Sequence, residues 1–253
     1  MTKTAVADLA ERLHVDDVRA PETGANYNVT PRAEVVIVAA RGVPRSQPDA
    51  DFLATDADIM SATERVTRVM DRVRWGLVPS WAKDLSIGDK MINARSETIR
   101  EKPAFKRAFA KRRCIIPVDG FYEWKRVGTR KAKQPVFIHS TTPGALLAFA
   151  GLYEVWRDKS DPDAPWVRSC SIITTASNAT IEPIHNRMPV LLHSAQFDDW
   201  LDPENQDVDA LARMLVPSAN DAIEYYPVRL LVNKAANNFA ELLEPAPPES
   251  LFE

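Results

Sequence analysis

The sequence predicts an α+β protein: a single compact domain with a mainly antiparallel, curved, barrel-like β-sheet core and peripheral helices. Three observations carry this. Short apolar runs crowd together between Cys114 and Thr175, each of strand length. Nineteen prolines against eight glycines suit short strands and rigid turns better than long helices. The 253 residues are enough to bury a sizeable core, and no internal repeat or clean linker divides them.

The elements follow in order. Val6, Leu9, Ala10 and Leu13 recur at helical spacing, so residues 4–14 read as an amphipathic helix. Tyr27 to Pro31 is a turn, and Glu34 to Ala40 a strand. Residues 41–65 are rich in Pro, Asp, Ala and Ser and read as a surface insertion. Val69 to Leu77 alternates as a strand, and Trp81 follows shortly after. Pro103 suits a first helical turn, with Phe105, Ala108 and Phe109 on one face. Strands are expected at Cys114–Val118, Gly120–Arg126, Pro135–His139, Leu146–Trp156, Val167–Thr175 and Val190–His193. Phe197–Leu201 and Val208–Leu215 read as helices, and Ile223–Leu231 as a strand. The domain is expected to span residues 1–244, with the proline-rich 245–253 as a flexible tail.

With 45% hydrophobic and 26% charged residues, this is the composition of an ordinary soluble globular protein. The net charge of −3 says little about partners, but its distribution says more. Between Asn93 and Lys133 stand thirteen Lys/Arg and four Asp/Glu, a local balance of +9. Lys106-Arg107, Lys111-Arg112-Arg113, Lys125-Arg126 and Arg130-Lys131-Ala132-Lys133 flank Glu123. They read as a polyanion-binding surface, with a set of solvated faces as the alternative. Cys114 and Cys170 lie in apolar runs and are expected to be buried free thiols. No Cys/His spacing suggests zinc, and neither metal nor cofactor is expected. No signal-peptide core follows Lys3, and no apolar run approaches the roughly 20 residues of a spanning helix. A cytoplasmic monomer without a membrane partner is the expectation.

Glu123 is the most informative residue. In Gly120-Phe121-Tyr122-Glu123-Trp124 a carboxylate stands between two aromatics inside a strand that otherwise reads as buried. Such surroundings raise a carboxyl pKa toward neutrality, which suits an acid/base catalyst. The alternative is a rim residue on a strand whose other face is core. His185-Asn186-Arg187-Met188-Pro189 places a histidine and an arginine beside a structure-breaking proline, and Met91 to Thr98 supplies Asn93 and Arg95. The plain alternatives are a capping histidine and a turn-forming asparagine. Trp124, Trp156 and Trp200 are assigned to the core.

Taken together, five segments resemble the SOS-response-associated peptidase (SRAP) family, in that family's order. They are Tyr27-Asn28-Val29-Thr30-Pro31, Arg74 to Ala82, Asn93 to Thr98, Arg113 to Trp124, and His185 to Pro189. Val232-Asn233 is similar to its C-terminal signature, so the resemblance runs from about Tyr27 to Leu243. The resemblance implies a sensor of abasic sites in single-stranded DNA, acting in the DNA damage response and nucleoid-associated when bound. Family members remove their initiator Met autocatalytically and expose an N-terminal cysteine. Its amine and thiol condense with the aldehyde of a ring-opened abasic sugar into a thiazolidine, a covalent DNA–protein crosslink. The family's catalytic Asn, Glu and His match Asn93, Glu123 and His185. In that setting Arg95 and Arg187 grip phosphates, Trp75 and Trp81 stack on bases, and Asn28 and Pro31 face the DNA.

The chain begins Met1-Thr2-Lys3-Thr4 where the family begins Met-Cys-Gly-Arg and a short strand. Three readings stand: an internal methionine taken as the start, a variant that binds without crosslinking, or a substitute nucleophile. Without the family's first strand, an exposed sheet edge and an incomplete pocket are expected. Two other functions remain as rivals. One is a non-catalytic single-stranded DNA-binding module. The other is a general protease, against which no Ser-His-Asp or Cys-His arrangement with an orienting group is seen.

Overall fold

The computed structural model describes residues 1–42, 66–128 and 133–247. The expected insertion at 41–65 lies outside the described residues apart from Arg41 and Gly42, which end a strand. In chain order the elements are helix α1 (Val6–Arg12), β1 (Asp17–Val18), β2 (Glu34–Gly42), β3 (Val66–Trp75) and β4 (Asn93–Arg95). Then come α2 (Pro103–Lys111), β5 (Arg113–Val118), β6 (Phe121–Arg126), β7 (Lys133–Ser140), β8 (Leu147–Trp156) and β9 (Val167–Ala176). Last are β10 (Arg187–Pro189), α3 (Phe197–Leu201), α4 (Val208–Arg213) and β11 (Ile223–Pro227).

The larger sheet has the order β1-β3-β2-β5-β8-β9-β10, with β4 also paired to β9. A parallel contact between β3 and β9, Arg74 opposite Ser169 and Trp75 opposite Cys170, closes β3, β2, β5, β8 and β9 into a ring. The curved sheet read from the sequence is therefore present. Strand β8 shows why the ring is stable: all ten of its residues are buried. Ala148, Ala150 and Leu152 join the core that holds Leu9 of α1, Phe105 and Phe109 of α2 and Trp200 of α3. Phe149, Tyr153 and Val155 alternate into the other large core, with Ile116, Ile138 and Cys170. A strand covered on both faces needs a near-continuous apolar run, and Leu147 to Trp156 supplies one broken only by Glu154, whose charge is paired.

The second sheet is β11-β7-β6, antiparallel throughout. Cys114 and Cys170 are free and buried, as expected, and burial pushes the Cys114 thiol far up, which leaves it inert. Among the described residues no helix is long and apolar enough to cross a membrane.

Several boundaries differ from the sequence reading. The short strand expected at Val190–His193 lies at Arg187–Pro189, and Leu191 makes only an isolated bridge to Phe149. Strand β11 stops at Pro227, and the chain turns into a 3-10 segment at Leu230–Asn233. Pro245 bridges Val228, and Ala246 donates its amide to Pro227 O at 2.8 Å; residues 248–253 lie outside the described residues.

The basic surface needs a larger correction. Arg112 and Arg113 are buried, not solvated. Arg112 is paired with buried Glu154. Arg113 donates to Phe109 O and Ala110 O at the end of α2, and to Trp200 O and Asp202 O at the end of α3. The last carbonyls of a helix have no partner within it, so one guanidinium caps two helices. Burial pushes Arg113 down to about 10, still charged at neutral pH. These two arginines staple the fold and do not face a polyanion. Arg130, Lys131 and Ala132 lie outside the described residues.

Candidate active site

A cavity of about 840 Å³ opens between the two sheets. Val35, Ile116, Phe149 and Ile172 of the larger sheet and Phe121 of the smaller form apolar walls. Asn28, Asn93, Glu123, Lys133 and Asn233 bring polar groups into it. An apolar recess with a few convergent polar groups is the usual form of a ligand site. Its lining is less cationic than the sequence suggested, because Lys133 is the one Lys or Arg side chain among the described lining residues.

Glu123 sits on β6 opposite Val136 and is half-buried. Burial pushes its carboxyl up, while His185, the Trp124 backbone and Lys133 act the other way. Desolvation dominates, as the two flanking aromatics predict. Asn93 opens β4, whose parallel pairing with β9 sets it opposite Ile172 in the same cavity. His185 is exposed and lies outside the lining, on the turn before β10, yet its charge reaches Glu123. The Arg187 amide points at His185 Nδ1 at 3.0 Å. Nδ1 also lies 3.2 Å from Arg187 O, so the turn grips the ring through this nitrogen in either neutral tautomer, and Nε2 has no hydrogen-bond partner among the described residues. Two of the three catalytic candidates thus share one cavity, with the third at its edge.

The other candidates divide. Trp75 lines the cavity, its indole held by Ile92 O at 2.9 Å. Pro31 and Asn28 line it too, and Asn28 Nδ2 donates to Val232 O and Lys234 O at 3.1 Å each. Arg95 is exposed on β4 and makes no ion pair among the described residues. Arg187 is not free: its guanidinium meets both carboxylate oxygens of Glu97 and donates to Thr174 O at 2.6 Å. Trp81 stands outside the cavity at 54% exposure.

Two residues were missed. Trp124, assigned to the core, is 36% exposed at the cavity wall, with its indole N–H fixed by Asn233 Oδ1 at 2.7 Å. Trp156 and Trp200 are buried as expected. Strand β6 has no fully buried residue, and the charges at Glu123, Lys125 and Arg126 around Trp124 were the available signal. Tyr122 also lines the cavity, and its buried hydroxyl has no hydrogen-bond partner among the described residues. Burial pushes that phenol up, helped by Tyr226. An orphaned buried hydroxyl costs about 1–3 kcal/mol and points to a functional site. Met1 and Thr2 complete the wall; the Met1 amine donates to Gly120 O at 2.7 Å, and Thr2 exchanges backbone hydrogen bonds with Asn26.

The family model described as SOS response associated peptidase (SRAP) matches residues 1–235. The abasic site processing protein YoaM of Bacillus subtilis is 50% identical over 175 residues, covering 69% of this chain and 75% of that protein. The abasic site processing protein HMCES of Rattus norvegicus is 34% identical over 207 residues, covering 71% of this chain and 57% of that protein. A solved structure from Bacteroides thetaiotaomicron superposes with a TM-score of 0.64 at 30% identity, over 70% of this chain and 77% of that one. The resemblance drawn from the five motifs is borne out, and the chain belongs to the SOS response associated peptidase (SRAP) family.

Proposed function

We propose that this protein processes abasic sites in single-stranded DNA, with Glu123 as its proton relay. The observation that carries the reading is the half-buried Glu123 carboxyl in a cavity shared with Asn93, within reach of the charge of His185. The relatives named abasic site processing proteins set the substrate class. A ring-opened abasic sugar is an aldehyde. A neutral amine adds to its carbon to give a carbinolamine, which becomes an imine only when its hydroxyl leaves as water. That step needs one proton delivered to oxygen and one removed from nitrogen. A carboxyl with a raised pKa does both in turn. Asn93 holds the amine or carbonyl without titrating. His185 offers Nε2 to a sugar oxygen or a phosphate. Arg95 takes a phosphate, and Trp124 and Trp75 offer faces on which neighbouring bases stack.

In the family chemistry the amine and thiol belong to one N-terminal cysteine. After the imine forms, the sulfur adds to its carbon and the thiol proton ends on nitrogen, closing a thiazolidine. Removal of the initiator Met fits the same carboxylate, which activates water toward the peptide carbonyl. The test is a gel assay of the protein extended by Met-Cys-Gly-Arg with an abasic oligonucleotide. A heat-stable adduct, slowed by Glu123→Gln, is the expected result. Salt-sensitive binding with no abasic preference and no adduct would leave the non-catalytic DNA-binding module instead.

A further inference from the structure

Glu97 has no place in the chemistry above, yet it makes a two-pronged contact with a cation of the site. It stands in the 3-10 turn Ser96–Thr98 that directly follows β4 and Asn93. Arg187 opens β10, two residues after His185. The two strands lie on opposite edges of β9 and meet at one residue: Thr174 is paired with Arg95 on one side and Pro189 on the other. Across that strand end, Arg187 Nη1 donates to Glu97 Oε1, and Nη2 donates to Oε2 at 2.9 Å. The same Nη2 donates to Thr174 O at 2.6 Å. A fork-to-fork pair of this kind fixes direction as well as distance. The Arg187 side chain is 19% exposed and that of Glu97 52%, so the guanidinium is sheltered and the carboxylate reaches in from the rim. The Arg187 amide and carbonyl, in turn, lie 3.0 and 3.2 Å from His185 Nδ1.

We infer that Glu97 is a positioning residue: by clasping Arg187 across β9 it locks the His185 turn to the Asn93 strand, and so fixes where the imidazole stands beside the cavity. The inference rests on the function proposed above. It gives Arg187 a role distinct from Arg95. Arg95 is free for phosphate, whereas Arg187 is already satisfied by a carboxylate and serves the imidazole. Without Glu97 the Arg187 guanidinium keeps only its bonds to Thr174, and the turn that carries His185 loses its tie to the Asn93 strand. Displacement of a catalytic group by about 1 Å costs up to about a hundredfold in rate.

The inference has a readout that needs no DNA. Nitrogen-15 and carbon-13 spectra of the His185 ring report whether the imidazole is held in one position or samples several. The wild-type chain is expected to show one sharp set of ring signals, Glu97→Ala shifted and exchange-broadened ones, and Glu97→Gln, which keeps one oxygen acceptor, an intermediate. The second readout is adduct formation at saturating abasic oligonucleotide with the cysteine-extended protein. Glu97→Ala should slow it about tenfold to a hundredfold, and Glu97→Gln less. An unchanged His185 spectrum in both variants overturns the inference, as does an unchanged saturating rate. If the wild-type protein forms no adduct at all, the proposed function fails, and the ring spectrum alone decides the role of Glu97.

Discussion

Arg112 and Glu154 form a buried ion pair, and the second Glu154 oxygen accepts the Ser80 amide at 3.2 Å. The pair joins the foot of β5 to β8 and pins the loop from Leu77 to Ala82. Ser169 Oγ takes the Val78 amide at 2.8 Å, and Ala82 O accepts the Trp156 indole at 2.8 Å in the same loop. Held from beneath at three points, the loop presents Trp81 outward. Breaking a buried pair leaves one charge uncompensated. Glu154→Ala should therefore cost about 3–5 kcal/mol, measured as a fall in urea midpoint. The double replacement Arg112→Met with Glu154→Leu should recover much of that stability without restoring the loop. Trp81 fluorescence should then shift in both proteins.

The strongest elements were legible because each carries its own periodicity. Val6, Leu9 and Leu13 place α1, and the apolar run from Leu147 to Tyr153 places β8. Glu123 was legible because a carboxylate inside an apolar, aromatic strand has few explanations. Strand β4 was not: three residues are too few for their alternation to stand out in sequence, and the strand pairs along the edge that β9 offers. Arg112 and Arg113 misled for a related reason. A charged pair looks the same in sequence whether it meets water or helix-end carbonyls. Trp124 shares its strand face with half-buried Tyr122, and such an aromatic pair looks the same in sequence whether it meets a core or a cavity. Asn233, which holds it, arrives from 109 residues away.

Glu123→Gln separates stability from activity. Burial raises the Glu123 carboxyl pKa in the folded protein. A group raised in this way adds stability below its unfolded pKa and loses it as pH rises through the folded value. Wild-type stability should thus decline across that window, because the folded state must ionise a half-buried carboxyl. Glu123→Gln removes the penalty. Its urea midpoint should exceed the wild type's at neutral pH and converge with it near pH ~4. Adduct formation should fall by about 10²–10⁴-fold. A parallel pH dependence in the two proteins would remove Glu123 from the acid/base role.

The two kinds of tryptophan give opposite outcomes. Trp200 is fully buried, with its indole N–H donating to Cys114 O at 2.9 Å. Trp200→Ala should cost about 3–5 kcal/mol of stability. Trp124 is 36% exposed at the cavity mouth. Trp124→Ala should leave the melting temperature nearly unchanged and weaken single-stranded DNA binding by about 1–3 kcal/mol, read from oligonucleotide titrations at fixed salt. Asn233→Ala, which frees the indole without removing it, should produce a smaller loss of affinity.

Gly76 and Gly88 touch backbone to backbone, and the contact sets where Asn93 stands. Gly76 has φ of +127° and follows Trp75 at the end of β3. A Cβ there would lie 2.7 Å from Gly88 O, and one on Gly88 would lie 2.6 Å from Gly76 O. Neither neighbour is a side-chain tip that can swing away. The close approach lets Leu77 take Met91 O at 3.2 Å and Trp75 take Ile92 O at 2.9 Å, immediately before Asn93. Gly76→Ala meets both a disfavoured φ and a backbone clash, and the φ alone costs about 1–3 kcal/mol. Gly88→Ala meets the clash without a positive φ and should cost less. Both should slow adduct formation beyond what the stability loss explains, because the segment that carries Asn93 is pushed off β3. The check is the saturating rate, measured well below each variant's melting temperature. A wild-type rate in Gly88→Ala would show that Asn93 is held by β9 alone.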